Sequence, residues 1–148
     1  MTRLLVAASL LAVSSLVAGC AEDDPFEAYC DEVKAQQEAL SEDLAGGSAT
    51  ALIDALPEFE QLRDKSPDDL RDEWDTVTSR IGDLVEALED AGVDPSTYDS
   101  KKPPAEVSTE QRKAIGAAAR ALATPEMAAA LDGVEQQARD VCKTPLAL

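Results

Sequence analysis

The segment from Ser66 to Asp90, SPDDLRDEWDTVTSRIGDLVEALED, decides the fold. Its apolar residues recur at spacings of 4, 3, 4, 3 and 4, which places them along one side of an α-helix. The opening Ser-Pro-Asp-Asp is a helix start signal. A stripe of fewer than three heptads is more typical of the central helix of a bundle than of a coiled-coil seam, so we expect an all-α fold. The stripe consists of Leu70, Trp74, Val77, Ile81, Leu84 and Leu88.

Helical spacing recurs on both sides of this segment, and no stretch alternates apolar and polar residues for long. Capping signals predict helices that begin at Asp24-Pro25, Ser108 and Thr124. Residues 50–65 predict another helix, which Pro57 should kink or divide into two short helices. We therefore expect a bundle of four to five helices over residues 25–148. The predicted stripes are Phe26, Tyr29, Cys30, Val33, Leu40 and Leu44; Leu52, Leu56, Phe59 and Leu62; Ile115, Ala118, Ala119 and Leu122; and Met127, Leu131, Val134, Ala138 and Val141.

The first nineteen residues have the features of a secretory signal peptide: a basic Arg3, an apolar run over residues 4–17, and then small residues. A helix of that run rises about 21 Å, which is short of a hydrocarbon core of about 30 Å. The sequence Val-Ala-Gly-Cys at 17–20 resembles a bacterial lipobox. That resemblance implies cleavage after residue 19, acylation of Cys20, and a tether of residues 20–24 to an extracytoplasmic membrane surface. The alternative is an ordinary secretion signal that ends near a cysteine.

Acidic residues dominate the chain, with 30 Asp and Glu against 13 Lys and Arg. Loss of residues 1–19 removes only Arg3, so the cleaved chain has a formal net charge of −18. Residues 20–100 hold 24 acids and 5 bases, whereas residues 101–148 hold 6 acids and 7 bases. The charge disfavours nucleic acid as a partner. The asymmetry indicates that the last third packs against the acidic part, that the acidic part faces a cationic partner, or that it is a solvated surface.

Two cysteines remain once Cys20 is acylated, and in an exported protein such a pair most often forms a disulfide. Cys30 lies on the first apolar stripe and Cys142 closes the last helix. Neither belongs to a C-x-x-C motif, which favours a structural disulfide over a redox pair. The first and last helices should then be neighbours.

Three segments resemble a group of small acidic lipoproteins from actinobacteria: AYCDEVKAQQ at 28–37, SPDDLRDEWD at 66–75 and QQARDVCKTPL at 136–146. The resemblance covers most of the chain after residue 19. It implies acylation of Cys20 and a disulfide between Cys30 and Cys142. It implies no activity.

The residues needed for common catalytic sites are missing. The sequence contains no histidine, which removes the usual nucleophile–base arrangements and most catalytic zinc sites, and it contains no phosphate-binding glycine motif. We therefore expect no enzyme, no resident metal and no cofactor. The strongest metal alternative is calcium, because Asp90, Asp94 and Asp99 could surround a cation, although their spacing is not that of an EF-hand. Asp94 is equally explained as the cap of a short helical turn.

The sequence favours a membrane-anchored interaction or accessory protein of the cell envelope. Its alternative is a lipoprotein that binds a small ligand or a divalent cation. The long connection at 92–107 is of a length that is often functional, and it contains Tyr98. The predicted contacts with a cationic envelope protein are Asp68, Asp69, Asp72 and Asp75, with Tyr98 as a further candidate that could instead fold back on the bundle.

Overall fold

A computed structural model describes residues 24, 26–45, 48, 50–146 and 148. In these ranges the chain is all-helical, as predicted, and forms no strand. Two 3₁₀ turns, Asp68–Leu70 and Pro95–Thr97, precede and follow the longest helix. The helices are α1 (Glu27–Ala45), α2 (Ala51–Asp54), α3 (Leu56–Lys65), α4 (Arg71–Asp90), α5 (Thr109–Ala121) and α6 (Pro125–Asp140).

The predicted central helix is α4, which packs against α2, α3, α5 and α6. All six residues of its predicted stripe are buried. At 1.5 Å per residue, α4 is about 30 Å long, and this length separates two ends of the bundle. Trp74 near its start donates a hydrogen bond from Nε1 to the Tyr29 hydroxyl of α1 at 3.1 Å. The start of α4 and the start of α1 therefore lie at the same end.

The larger hydrophobic cluster surrounds Trp74 and joins α1, α3, α4 and α6. Phe59 of α3 packs against Trp74 with ring centroids 5.8 Å apart. The predicted disulfide between Cys30 and Cys142 is present and links α1 to the segment after α6. That segment then follows α1, because the Gln37 side chain donates a hydrogen bond to the Pro145 carbonyl and Leu146 is fully buried.

A smaller hydrophobic cluster lies at the other end of α4. Its fully or nearly buried members are Leu84, Leu88, Val93, Val107 and Ile115. Val93 and Val107 stand near the two ends of the predicted 92–107 connection and fasten it to the bundle, while residues 99–106 between them are exposed. The predicted capping box at the start of α5 is formed, since Ser108 and Gln111 bond each other's backbone N–H groups.

Three details of the prediction are wrong: the number of helices, and the burial of Val141 and of Ala119. The described residues form six α-helices where four to five were expected. Residues 50–65 divide at Ala55 into α2 and α3, which is the division into two short helices predicted from Pro57. Pro57 has no N–H to continue the ladder of backbone hydrogen bonds. Val141 is exposed, because α6 ends at Asp140 and Lys143 adopts a left-handed backbone conformation with φ of 57°. The turn buries Cys142 in place of Val141. Ala119, also predicted on a buried stripe, is exposed.

Candidate functional site

The acidic surface predicted as a partner contact lies at the end of the bundle where α1 and α4 begin. Asp68 and Asp69 occupy the 3₁₀ turn, Asp72 lies in the first turn of α4, and all three are exposed. The nearest basic group to Asp68 is Arg71, at 3.6 Å. A surface ion pair of this kind contributes little and leaves the carboxylate open to solvent.

Asp75 differs from the other three aspartates because it has a partner inside the domain. Its carboxylate accepts a hydrogen bond from Arg63 of α3, and the two side chains are each about half exposed. This hydrogen bond, together with the charge of Asp75, raises the pKa of Arg63. Asp75 therefore joins α3 to α4, and three of the four predicted aspartates remain as a free acidic surface.

Tyr98 does not meet these aspartates. It is half-buried and packs against the smaller cluster, where the C-terminus of α4 lies, so it folds back on the bundle. The separation follows from the length of α4, since Asp72 and Leu88 are sixteen residues apart along one helix, about 24 Å.

Two of the three carboxylates considered for calcium, Asp94 and Asp99, have local roles. Asp94 caps the turn Pro95–Thr97, with its Oδ1 accepting from the Ser96 N–H at 3.0 Å and from the Ser96 hydroxyl at 2.8 Å. Asp99 accepts from the Lys101 N–H at 2.8 Å. Across residues 50–146, where every position is described, no three carboxylates converge as a metal site. The capping role of Asp94 is the simpler explanation of that residue.

A feature that the sequence analysis did not single out is an acidic groove between α4 and α5. The groove has a volume of about 350 Å³ and a floor that includes Ala87 and Ala114. Four carboxylates surround it, from Asp83, Glu86, Asp90 and Glu110, and no basic residue lines it. The signal that could have found it is the spacing of the three α4 acids on the side opposite the apolar stripe.

A hydrogen bond between two side chains lies in the interior, where Trp74 donates to the Tyr29 hydroxyl. Both side chains are fully buried. Burial raises the pKa of the Tyr29 hydroxyl to about 12, and the hydrogen bond from Trp74 acts in the opposite direction. Because both side chains are closed off from solvent, the contact serves the packing of α1 against α4.

The predicted signal segment 1–19, Cys20 and all of the tether 20–24 except Asp24 lie outside the described residues. In the part of the chain that is described, no helix has the length and apolar character needed to cross a bilayer.

Comparison with known proteins gives no match to this chain, whether among protein-family models, curated proteins or solved structures.

Proposed function

We propose that this protein is a non-catalytic interaction protein held on the extracytoplasmic face of the cell membrane by acyl chains on Cys20. The observation that carries the proposal is the Val-Ala-Gly-Cys sequence at 17–20, directly after an apolar run too short to span a bilayer. Acyl chains supply the anchor, since a chain with this excess of acidic residues is repelled by anionic lipid.

The length of the tether limits which partners the domain can reach. Residues 20–24 extend over at most about 18 Å, so the domain stays close to the membrane that holds it. A partner in the same membrane, or at its surface, fits this reach.

The charge at the end of the bundle nearest the tether indicates the chemistry of the partner. Asp68, Asp69 and Asp72 are exposed at the end of the bundle where the described chain begins. A partner with Lys and Arg residues on its extracytoplasmic surface complements them. Complementary charge of this kind contributes mainly to the rate of encounter and to specificity.

Crosslinking in intact cells, followed by mass spectrometry of the recovered proteins, tests the proposal. The tested variant is Asp68→Lys/Asp69→Lys/Asp72→Lys. Its matched control, Glu38→Lys/Glu42→Lys/Glu106→Lys, makes the same change in net charge at exposed positions elsewhere. We expect the first variant to lower recovery of the partner about tenfold, as the loss of several exposed ion pairs would. The control should leave recovery unchanged.

Two results would overturn separate parts of the proposal. An N-terminal peptide without acyl chains on Cys20 would remove the anchor. Full recovery of the partner with the Asp68/Asp69/Asp72 variant would remove the acidic surface as its docking site, even if the anchor is correct.

A further inference from the structure

Helix α5 carries three basic side chains that have no partner in the described ranges. Arg112, Lys113 and Arg120 are exposed, and within residues 50–146 and 26–45 none of them forms an ion pair or a side-chain hydrogen bond. No ion pair joins α5 to the acidic helix α4 against which it packs. The basic charge of α5 therefore forms no ion pair with the described part of the domain.

The basic residues lie on one flank of α5 and the acidic groove on the other. Residues two positions apart on a helix differ in direction by about 200°. Glu110 and Ala114 line the groove, whereas Arg112, Gly116 and Arg120 form a row on the opposite flank, with the buried Ile115 between the two rows. The Arg120 side chain folds back over Gly116, where an added Cβ would meet its Nη1 at 3.4 Å.

The basic row and the acidic groove also lie at the same position along the long axis of the bundle. The Gln111 side chain donates to the Asp90 carbonyl at 3.2 Å, which sets the start of α5 beside the end of α4. Because the helices run antiparallel, the row from Arg112 to Arg120 spans about 12 Å and the α4 acids from Asp90 to Asp83 span about 10 Å. A second copy in the same orientation, placed beside the first, would set its basic row against this groove.

We propose that copies of this protein associate side by side, with Arg112 and Arg120 of one copy seated in the α4–α5 groove of the next. The contact is heterologous, since two different surfaces meet, so it extends into a row or closes into a ring. Within the part of the chain that the structure describes, neither flank forms an ion pair, and the two flanks are opposite in charge and similar in length and in position along the bundle. The proposed acyl anchor would hold many copies in one orientation, and in that respect this proposal rests on the proposed function. The contact between the two surfaces does not require the anchor.

Anionic lipid does not suit the basic row as well as a second copy does. The row lies along the half of α4 that is far from the start of α1, where the tether joins the domain. An upright domain holds Arg112 more than about 20 Å from that end, beyond two Debye lengths at physiological ionic strength.

Salt should act on the association in two directions. Near 0.01 M salt the Debye length is about 30 Å, and repulsion between two acidic copies acts over the whole molecule. Near 0.1 M it is about 10 Å, so long-range repulsion is screened while ion pairs in contact persist. Near 1 M both are screened. We expect association to be greatest near 0.1 M.

Zero-length carbodiimide crosslinking of the protein purified from membranes in a nonionic detergent tests the contact. An equal mixture of ¹⁴N and ¹⁵N protein distinguishes links between copies from links within one copy. We expect mixed-isotope links from the Lys113 amine to Asp83, Glu86, Asp90 or Glu110. Arg112→Glu/Arg120→Glu keeps Lys113 as the reporter and should lower those links about tenfold, as loss of two exposed ion pairs would.

A charge-swap provides the sharper test. Asp83→Lys/Glu86→Lys should also lose the links, and a mixture of the two reversed variants should regain them, since each supplies the charge that the other lacks. Lys101→Glu/Lys102→Glu and Glu38→Lys/Glu42→Lys match the two variants in net charge at exposed positions outside the contact. These controls should behave as the unchanged protein.

Three results would overturn the proposal: no mixed-isotope links in the unchanged protein, links that persist in the Arg112/Arg120 variant, or no recovery in the mixture. Binding of the purified protein to anionic vesicles that is lost in the Arg112/Arg120 variant would assign the basic row to lipid instead. Acylation of Cys20, read from the N-terminal peptide in the same spectra, is scored separately, so failure of the anchor and failure of the contact are distinguishable.

Discussion

The cluster around Trp74 and the cluster around Ile115 are built on the same helix, yet different numbers of elements hold them. Around Trp74, three further helices and a disulfide enclose two fully buried aromatic rings besides Trp74 itself. Around Ile115, α4 is the helix against which α5 mainly packs, and the remaining cover comes from the ends of a connection and from half-buried side chains such as Ile53.

This difference indicates where the protein opens. Elements with few buried apolar contacts open at a lower free energy than the global unfolding free energy. We expect α5 and the 92–107 connection to open as a local unit, while α1, α3, α6 and the first half of α4 open only on global unfolding. The proposed association of copies uses α5, the element that is least fixed within a single copy.

The largest expected effect comes from removal of the disulfide. Cys30→Ser/Cys142→Ser frees a loop of 112 residues in the unfolded state. The chain-entropy relation gives a loss of about 4–5 kcal/mol in the free energy of unfolding, as an upper estimate. Urea unfolding measures it. Amide exchange in α5 should change little, because local opening does not involve α1, and a parallel loss of protection in α5 would contradict the division into two regions.

A matched pair of cavity mutations compares the two clusters directly. Ile81→Ala and Ile115→Ala delete the same atoms from buried positions. We expect a loss of about 4 kcal/mol at Ile81, where four helices limit collapse, and about 2 kcal/mol at Ile115, where α5 can move towards α4. Urea unfolding of both variants measures the difference. Equal losses would show that the smaller cluster is as rigid as the larger one.

Alkaline pH should weaken the larger cluster through Tyr29. Its pKa is about 12 in the folded chain and about 10 when unfolded, so the unfolded state loses a proton first. The contribution of Tyr29 to the free energy of unfolding is fully present below pH 10 and falls between pH 10 and pH 12, by about 3 kcal/mol in total. Unfolding curves across this range measure the slope. Tyr29→Phe should abolish that slope, at a cost of about 1–3 kcal/mol at neutral pH for the unsatisfied Trp74 N–H.

The smallest expected effect compares two helix caps. Ser108 accepts from the Gln111 N–H at the start of α5, and Thr124 accepts from the Met127 N–H at the start of α6. Replacement of either by alanine should cost about 1 kcal/mol. Hydrogen exchange should show the loss at Ser108 mainly as faster exchange in α5, and the loss at Thr124 as a lower global stability. The same exchange pattern from both variants would remove the distinction between the regions.

The helical architecture could be predicted because its determinants are local. The α4 stripe, the cap at Ser108 and the break at Pro57 each follow from residues a few positions apart. The disulfide could be predicted as well, because Cys30 and Cys142 are the two cysteines of the helical domain. The exposure of Val141 could not be predicted from local residues. It depends on the turn at Lys143, which follows Cys142, and Cys142 is bonded to Cys30, 112 positions away in the sequence.

Much of the candidate site required the tertiary structure. The exposure of Asp68, Asp69 and Asp72 follows from their place opposite the apolar stripe. The engagement of Asp75 by Arg63, in contrast, depends on how α3 crosses α4. The acidic groove needs α5 to dock on a particular side of α4, and Glu110 joins Asp90 only through that docking. Leu146 was missed for the same reason, since its burial depends on the path of the tail along α1.

The bond between Cys30 and Cys142 makes most of the domain a covalent ring. The exposed stretch at 99–106, with Lys101 and Lys102, lies inside that ring. A protease that cuts the backbone there leaves both fragments in one molecule, because the disulfide still joins α1 to the α5–α6 part. In an oxidising compartment such a nicked protein stays in one piece, and only a reductant releases the C-terminal fragment.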